Sequence, residues 1–584
     1  MIHSLPPGSI MVLGALLLPF IGKRLSAYGA LILSAVSLAV FLTAPENWAV
    51  PLEILGQELN MVRVDRLSWI FGLVFHIAAI TAAIYALHVK DTKQHIAGMV
   101  YAGGAIAACC AGDLITLFVC WELTAVSSVF LIWASNSAER EFRENEQAYK
   151  SGMRYLIIQV TSGVLLLSGA IIHFVETESL AFDHFLALSP GETAKIADYG
   201  LGPQLILLAF GIKCAFPLLH NWLQDSYPKA TPTGTVFLSA FTTKLAIYSL
   251  CRGFAGTEEL IWIGCTMTLF PIVFAVIEND LRRMLAYSLN NQLGFMVVGI
   301  GIGTELAING TAAHAFCHII YKALLFMLMG AVLHRVGTTK ATELGGLHKS
   351  MPLTTIFCMI GAGAISGFPL LSGFISKSMI ISAAGEEHMK IVWIILLIAS
   401  AGVMEHSGIK IPFFAFFAHD SGKRVKEAPW NMLVAMAIGS FFCIGLGVAY
   451  DYLYRLLPYQ DHFHYPPYTA SHVIMQMQLL LFAALAFVFL MKANLYPEEK
   501  RSTNLDTDWI YRKALPIVLG IGATAIGSID RGLRVGFLAT LKSLLRWFSR
   551  LFSEKGTLGG TWSTSQMAFW AAMLLGVCLV LYYL

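Results

Sequence analysis

The sequence predicts an all-α polytopic membrane protein, and three observations carry that reading. Hydrophobic residues make up 57% of the 584 positions and charged residues 13%, with a mean hydropathy of +0.68, well outside the balance of a soluble domain of this length. Apolar runs of roughly 17 to 25 residues recur along nearly the whole chain, each long enough to cross about 30 Å of hydrocarbon as a helix. Runs such as Ile157–Ile172 are largely apolar without a period of two, which disfavours a barrel of strands alternating over about 10 residues.

In order, the segments begin near Ser9, Ala27, Leu67, Ile96, Leu114, Met153, Gly202, Thr235, Glu259, Met284, Ala312, Leu353, Ile391, Met432, Ile474 and Met567, each bounded by charge, proline or glycine. That reading makes about 16 crossings. The loops after odd-numbered segments carry most of the cations: Lys23/Arg24, Lys90/Lys93, Arg140/Arg143/Lys150, Arg282/Arg283, Arg335/Lys340/Lys349, Lys423/Arg424/Lys426 and Lys500/Arg501. The loops after even-numbered segments are neutral or acidic, as in Glu176–Asp198 and Glu386/Glu387, so the positive-inside rule places the N-terminus outside a cell (inner) membrane. The N-terminal stretch lacks a basic leader region and a small-residue cleavage site, and is read as a retained first helix.

A net charge of +3, spread through short loops, leaves no basic domain to track a nucleic-acid backbone. The ten cysteines lie mostly inside apolar segments, as with Cys109, Cys110, Cys120, Cys214, Cys265 and Cys358, without CxxC spacing; they read as small core residues rather than metal ligands. No nucleophile–base pairing, phosphate loop or metal spacing stands out, so no catalytic residue, metal or cofactor is expected.

Two features break the pattern of straight spanning helices. Lys213-Cys-Ala-Phe-Pro-Leu-Leu219 is echoed by Ile365-Ser-Gly-Phe-Pro-Leu-Leu371, and in each the proline (Pro217, Pro369) removes a backbone hydrogen bond and breaks the helix. Paired interrupted helices in two halves point to a transporter built from internal repeats; two ordinary proline kinks are the bland alternative. Near the C-terminus, Leu541, Leu544, Leu545, Phe548, Leu551 and Phe552 fall at helical spacing against Lys542, Arg546 and Arg550. Arg531–Phe552 therefore reads as a basic amphipathic helix on the membrane surface. The apolar run Ala514–Ile529 before it is short for a span, and the hydrophilic stretch Tyr496–Asp508 reads as a linker.

A charged side chain at the bilayer centre costs about 2.5 to 3.5 kcal/mol, so one that persists is a functional hypothesis by default. Glu122 sits in LITLFVCWELTAVSSVFLIW, Lys213 in LILLAFGIKCAFPLL, Lys244 in VFLSAFTTKLAIYSL and Lys377 in FPLLSGFISKSMII. His314, His318 and Lys322 recur at i, i+4 and i+8, on one helix face. An amine without a full counter-charge in low dielectric releases its proton more readily, and a nearby carboxylate reverses that. One pKa unit is about 1.36 kcal/mol, against about 2.3 kcal/mol per charge for each 100 mV of membrane potential, so such groups can couple proton movement to the potential. Imidazole titrates near neutrality and passes protons between its nitrogens. Glu405, His406 and Lys410 form a second rank. Lys150 and Lys410 lie near loops, where the long stem can snorkel, and Trp121 and Trp222 read as packing or interface anchors.

These residues resemble the proton-conducting membrane transporter family, which holds the antiporter-like subunits of respiratory complex I, membrane hydrogenase subunits and the large subunits of multisubunit sodium/proton antiporters. The resemblance spans roughly residues 60 to 420 and rests on WELTAVSS, FGIKCAFPLLHNWLQDSYPKATPT, AFTTKLAIY, ENDLRRMLAYSLNNQLGFM, HAFCHIIYKALLFMLMGAVLH and GFPLLSGFISKSMI. It implies about 14–16 transmembrane helices with two inverted five-helix repeats, each with a discontinuous helix, and a C-terminal amphipathic helix. It puts the glutamate–lysine pair on Glu122 and Lys213, the connecting lysine on Lys244, the His/His/Lys helix on His314, His318 and Lys322, and the terminal lysine on Lys377. Leu238 stands where many members carry a histidine, Ser378 where complex I relatives often carry an acid, and PKATPT replaces an APTPVS-like loop. AFTTK and DTDWIYRKALP look closer to the D-type large component of sodium/proton antiporters.

The expected organisation is N-terminal helices in 1–95, a first repeat in 96–255, a second in 256–420, additional helices in 421–495 and a C-terminal extension in 496–584. The expected function is a proton-translocating subunit of a multisubunit cation/proton antiporter, with sodium as the candidate counter-ion. Its expected partners are other membrane subunits, H+ and the lipid bilayer. Rival readings are the pump module of a redox complex (complex I-like or hydrogenase), a non-transporting scaffold, and uptake of another solute.

Overall fold

A computed structural model describes residues 5–45, 48–54, 56–134, 142–186, 188, 191–460, 464–497, 504 and 506–584. Arg140, Lys500, Arg501 and part of the stretch Tyr496–Asp508 lie outside the described residues. The chain divides into two compact units, Met1–Asn504 and Leu505–Leu584.

In the first unit, α1 (Ser9–Ala15) and α2 (Ser26–Leu42) precede a hairpin of β1 (Trp48–Ile54) and β2 (Gln57–Val64). Four helices follow: α3 (Arg66–Tyr85), α4 (Thr92–Cys109), α5 (Leu114–Trp133) and α6 (Phe142–Thr177). Next come the shorter α7 (Leu201–Cys214), α8 (Asn221–Ser226), α9 (Pro232–Ala240) and α10 (Thr242–Gly253). The chain continues through α11 (Glu258–Ile277), α12 (Leu281–Ile302), α13 (Glu305–Val336), α14 (Pro352–Ser366), α15 (Ser372–Glu386) and α16 (Lys390–Val403). It closes with the single turn α17 (Lys410–Pro412), α18 (Trp430–Val448), α19 (Tyr450–Tyr454) and α20 (Ala470–Lys492). The second unit holds α21 (Leu515–Leu551) and α22 (Thr564–Tyr583). Among the described residues, 11 helical stretches are long and apolar enough to cross a membrane, and α2, α7 and α14 are apolar but shorter. The protein is an all-helical, multi-pass membrane protein.

Helix starts follow local chemistry. Asp65, Asp113, Thr304 and Thr469 each accept a first-turn backbone N–H with the side chain, satisfying donors that hydrocarbon cannot. The two Phe-Pro-Leu-Leu stretches fall between α7 and α8 and between α14 and α15. Their backbones repeat one another. Ala215 (φ 62°) and Gly367 (φ 75°) end the first halves in the left-handed region, and Leu218 (φ 70°) and Leu370 (φ 69°) revisit it. The N–H of Phe216 bonds Gly211 O and that of Phe368 bonds Gly363 O, both at 3.0 Å. The sequence echo is thus a conformational one: proline removes the donor and the chain turns out of the helix in the same way twice.

Helix α13 is the centre of the first unit, with every residue from Ala307 to Val332 buried, which is why its apolar pattern runs all round. Glycines let α11 and α12 touch: a Cβ on Gly294 would come within 2.7 Å of Gly264 O and of Thr268 N.

Several sequence expectations change. The first segment is a seven-residue helix and a 3-10 turn at Leu18–Ile21, because Pro19 cannot continue the ladder. Residues 48–64 form an antiparallel hairpin whose register slips at Val50/Pro51, a strand position proline favours. The segment near Thr235 is interrupted at Phe241 (φ −103°, ψ −66°). The run 514–529 and the amphipathic stretch are not separate elements: α21 is one 37-residue helix, since no proline divides them and Asp530 pairs with Arg534 across the junction at 2.9 Å.

Overpacking in a tight interior typically costs about 1–3 kcal/mol. Gly294→Ala should therefore lower the thermal unfolding midpoint of the detergent-solubilised protein, whereas Gly576→Ala, with no atom within 4 Å of the added Cβ, should not. Equal midpoints would refute the close-approach account.

Candidate functional site

Lys213, in the last turn of α7, is fully buried. Its ammonium donates to Trp121 O at 2.7 Å and Thr124 Oγ1 at 3.1 Å, and lies 4.1 Å from the centre of the Trp121 ring. These groups flank Glu122 on α5, so the lysine is docked on the turn that carries the glutamate. Trp121 is therefore more than a packing anchor. Its indole N–H donates to Ser162 Oγ, and Ser162 donates to Ala209 O, at 3.0 and 2.8 Å, locking α5, α6 and α7 together. Trp222 keeps a structural role, closing the end of α7 through Ile212 O at 3.0 Å. Glu122 Oε1 is buried without a hydrogen-bond partner in the protein. It occupies the space beside Gly163 on α6 that a Cβ there would fill.

Lys244 is fully buried and donates to Ser239 O at 2.6 Å, across the α9/α10 interruption. On α13, His314 Nδ1 lies 2.9 Å from Ser376 Oγ of α15. His314 Nε2, both nitrogens of His318 and Lys322 Nζ are buried without protein partners. The two imidazoles lie 6.1 Å apart, and Tyr321 packs 5.3 Å from His318. Lys377, next to Ser376, donates to Ile365 O at 2.6 Å, a carbonyl of the broken end of α14. Phe295 touches both His314 and Lys377, at 6.1 and 5.6 Å. The second break and the His/His/Lys helix are thereby brought together. Buried amides without protein partners, Gln159, Gln224 and Asn290, add to the unsatisfied polar interior.

Of the second rank, His406 is buried in a π-helical turn, Met404–Ile409. Lys410 does not snorkel: it is fully buried and donates to Ala275 O, Val276 O and Glu278 O at 3.3, 2.6 and 2.7 Å, because the end of α11 offers it carbonyls and the favourable end of the dipole. Lys150 pairs with Glu146 at 2.6 Å on an exposed surface. Nine cysteines are buried and Cys578 is exposed. Thr124, Gly163, Ser376 and Tyr321 escaped the sequence reading; a small residue facing a buried acid gives no signal until the helices are placed.

Gly163→Ala should displace the Glu122 carboxylate and depress ion flux as strongly as Glu122→Gln, with insertion and thermal stability of the wild type. Undiminished flux would mean that the carboxylate position is not set by Gly163.

A family model described as NADH:quinone oxidoreductase/Mrp antiporter, transmembrane, matches residues 111–403, a range that holds all seven first-rank residues and stops short of Glu405. A probable K(+)/H(+) antiporter component of Rhizobium meliloti, of the fused A/B type, is 32% identical over 56% of this chain and 33% of its own length. The D component of the Na(+)/H(+) antiporter of Alkalihalophilus pseudofirmus is 33% identical over 47% of this chain and 55% of its own. Hydrogenase-4 component B of Escherichia coli is 25% identical over 70% and 65%. The chain thus spans about one third to two thirds of the length of these relatives. A chain of the Mrp complex from Dietzia sp. shares the fold with a TM-score of 0.67 at 19% identity, covering 83% of this chain and 98% of that one. An archaeal membrane-bound sulfane sulfur reductase chain does so with 0.67 at 22%, covering 81% and 98%. Matched across half its length by one family model, this chain belongs to the NADH:quinone oxidoreductase/Mrp antiporter transmembrane family.

Proposed function

We propose that the protein is a proton-translocating, antiporter-like subunit of a multisubunit membrane complex, with sodium as the candidate counter-ion. Its path runs along Glu122, Lys213, Lys244, His314, His318, Lys322 and Lys377. One observation carries this reading: four lysines are buried in helix interiors, three held by carbonyls or a hydroxyl and one without a protein hydrogen bond, and none forms an ion pair among the described residues. A structural ion pair would bring its own counter-charge; ammonium groups held by neutral dipoles can be neutralised without leaving a buried anion behind.

In this reading Glu122 and Lys213 form the switch. A carboxylate near the lysine favours its charged form, and a proton or partner that neutralises Glu122 drives the lysine proton on toward Lys244. At about 4 Å and an effective dielectric near 20 such a pair interacts by about 4 kcal/mol, enough to work against about 2.3 kcal/mol per charge at 100 mV. The side chains without protein partners are places where water can bridge one group to the next. The two broken helices are equivalent members of two inverted repeats, within the 96–255 and 256–420 halves. The N-terminus lies outside the inner membrane, and Arg282 and Arg283 face the cytoplasm.

The match to the D component of a Na(+)/H(+) antiporter favours antiport. The longer match to hydrogenase-4 component B, over 454 residues, favours a second reading in which redox partner subunits drive the same relay. Sodium-dependent, ΔpH-driven proton flux in vesicles holding the chain with its co-purifying partners should disappear in Lys213→Ala. Flux appearing only with an electron donor would favour the redox reading. Flux unchanged by the mutation would overturn the relay and leave a scaffold. Glu122→Ala should insert normally and fail to transport, because removing the charge lowers the insertion cost. Lys377→Arg should also be severely impaired, since arginine keeps its proton at any relevant pH; normal turnover would remove Lys377 from the path.

A further inference from the structure

We propose that His406 opens a second proton branch, running from the His314/His318/Lys322 helix through Gln292, Ser288 and Ser407 to the membrane face that bears Glu278 and Arg283. The proposal rests on the relay described above and extends it to a face the seven first-rank residues do not reach.

The inner half of the branch is a line of polar side chains. Tyr321, whose ring packs against His318 and 6.3 Å from His314, donates to Gln292 Oε1 on α12 at 3.1 Å. Gln292 and Ser288 are four residues apart and share a face of α12. Ser288 Oγ lies 2.8 Å from Ser407 Oγ, and Ser407 Oγ lies 2.8 Å from His406 Nδ1. His406 is fully buried, and its Nε2 has no hydrogen-bond partner in the protein. A buried imidazole serving only as packing would have both nitrogens satisfied or neither engaged. This one is engaged on one side and open on the other, the arrangement of a proton transfer group.

The backbone gives the second reason. His406 and Ser407 lie in a π-helical turn, a distortion that is costly in a spanning helix and concentrates at functional sites. Gly408 in that turn is pressed against Ser366, the residue following the carbonyl that binds Lys377; a Cβ on Gly408 would overlap Ser366 Oγ. The turn is thus seated on the broken end of α14. The charged groups within electrostatic range of His406 are Lys322 on α13, Lys377 on α15 and Lys410 on its own strand of helix, with Glu405 adjacent in sequence. Lys410, one turn beyond His406, reaches the carbonyls at the end of α11 up to Glu278 O. The buried Glu278 carboxylate lies 3.6 Å from Arg283 and 3.1 Å from Asn504.

The transfer balances. A proton arriving at Nε2 is matched by release of the Nδ1 proton to Ser407 Oγ, which passes its own hydroxyl proton to Ser288 Oγ, and water spans the turn to Gln292. Return of the ring to its first tautomer resets the group. The branch would let Lys322 exchange protons with the Arg283 face without passing through Lys213.

The test uses vesicles of the complete complex with the pH of each face set independently, comparing wild type with His406→Gln, Ser407→Ala, Ser288→Ala and Lys322→Ala. The serine variants remove one oxygen each and leave packing nearly intact, so they keep the test valid where His406→Gln fails to assemble. His406→Gln and Ser407→Ala should lose the response of flux to pH on the Arg283 face and keep the response on the opposite face. Equal loss of both responses would mark a structural role and overturn the branch. Wild-type behaviour in both, with Lys322→Ala inactive, would overturn the branch and leave the relay standing. An unaffected Lys322→Ala would overturn the relay and the branch together.

Discussion

Inside hydrocarbon a backbone carbonyl without a donor is expensive, at roughly 2–7 kcal/mol for an unsatisfied polar group, and this protein interrupts its helices where they are most buried. The interior is organised by how those carbonyls are answered. Lys377 takes Ile365 O at the broken end of α14, Lys244 takes Ser239 O across the α9/α10 interruption, and Lys410 takes the carbonyls ending α11. At the end of α7 the indole of Trp222 does the same for Ile212 O, which frees Lys213 to reach the glutamate-bearing turn of α5.

This arrangement lets one contact serve stability and transport. A carbonyl accepts from a protonated lysine, and a neutral amine can still donate to it, so loss of the proton does not orphan the backbone. A carboxylate partner would hold the ammonium far more tightly and, once the lysine lost its proton, would stand as an uncompensated buried charge. The protein keeps its one first-rank acid, Glu122, apart from the lysine ammonium, docking Lys213 on the neighbouring carbonyl, hydroxyl and ring instead.

The packing supports the same division. Small residues bring α11 and α12 into backbone contact and hollow a space on α6 for the Glu122 carboxylate, while α13 is enclosed on every side. Close-packed helices cannot deform continuously, so movement of charge has to proceed by side-chain and water rearrangements within a rigid frame. The π-helical turns at Met404–Ile409 and Phe413–Phe417 are the places where that frame departs from regular geometry beside the polar interior.

The sequence by itself determined the membrane class, the helical elements, the two breaks and the buried titratable residues, because each is a local property: an apolar run, a proline, a charge where hydrocarbon surrounds it. The same local reading expected a single helix through Phe241, a first spanning helix at Ser9 and separate elements on either side of Arg531. There the balance of nearby backbone donors and acceptors outweighed composition. Only the tertiary structure decided what faces what. That Gly163 makes room for Glu122, that Trp121 holds Lys213 by carbonyl and ring, that Ser376 joins His314 to the second break and that Lys410 turns inward are all contacts between residues distant in sequence. They arise from helix placement, which burial and glycine approach set across the whole bundle and which no single segment encodes.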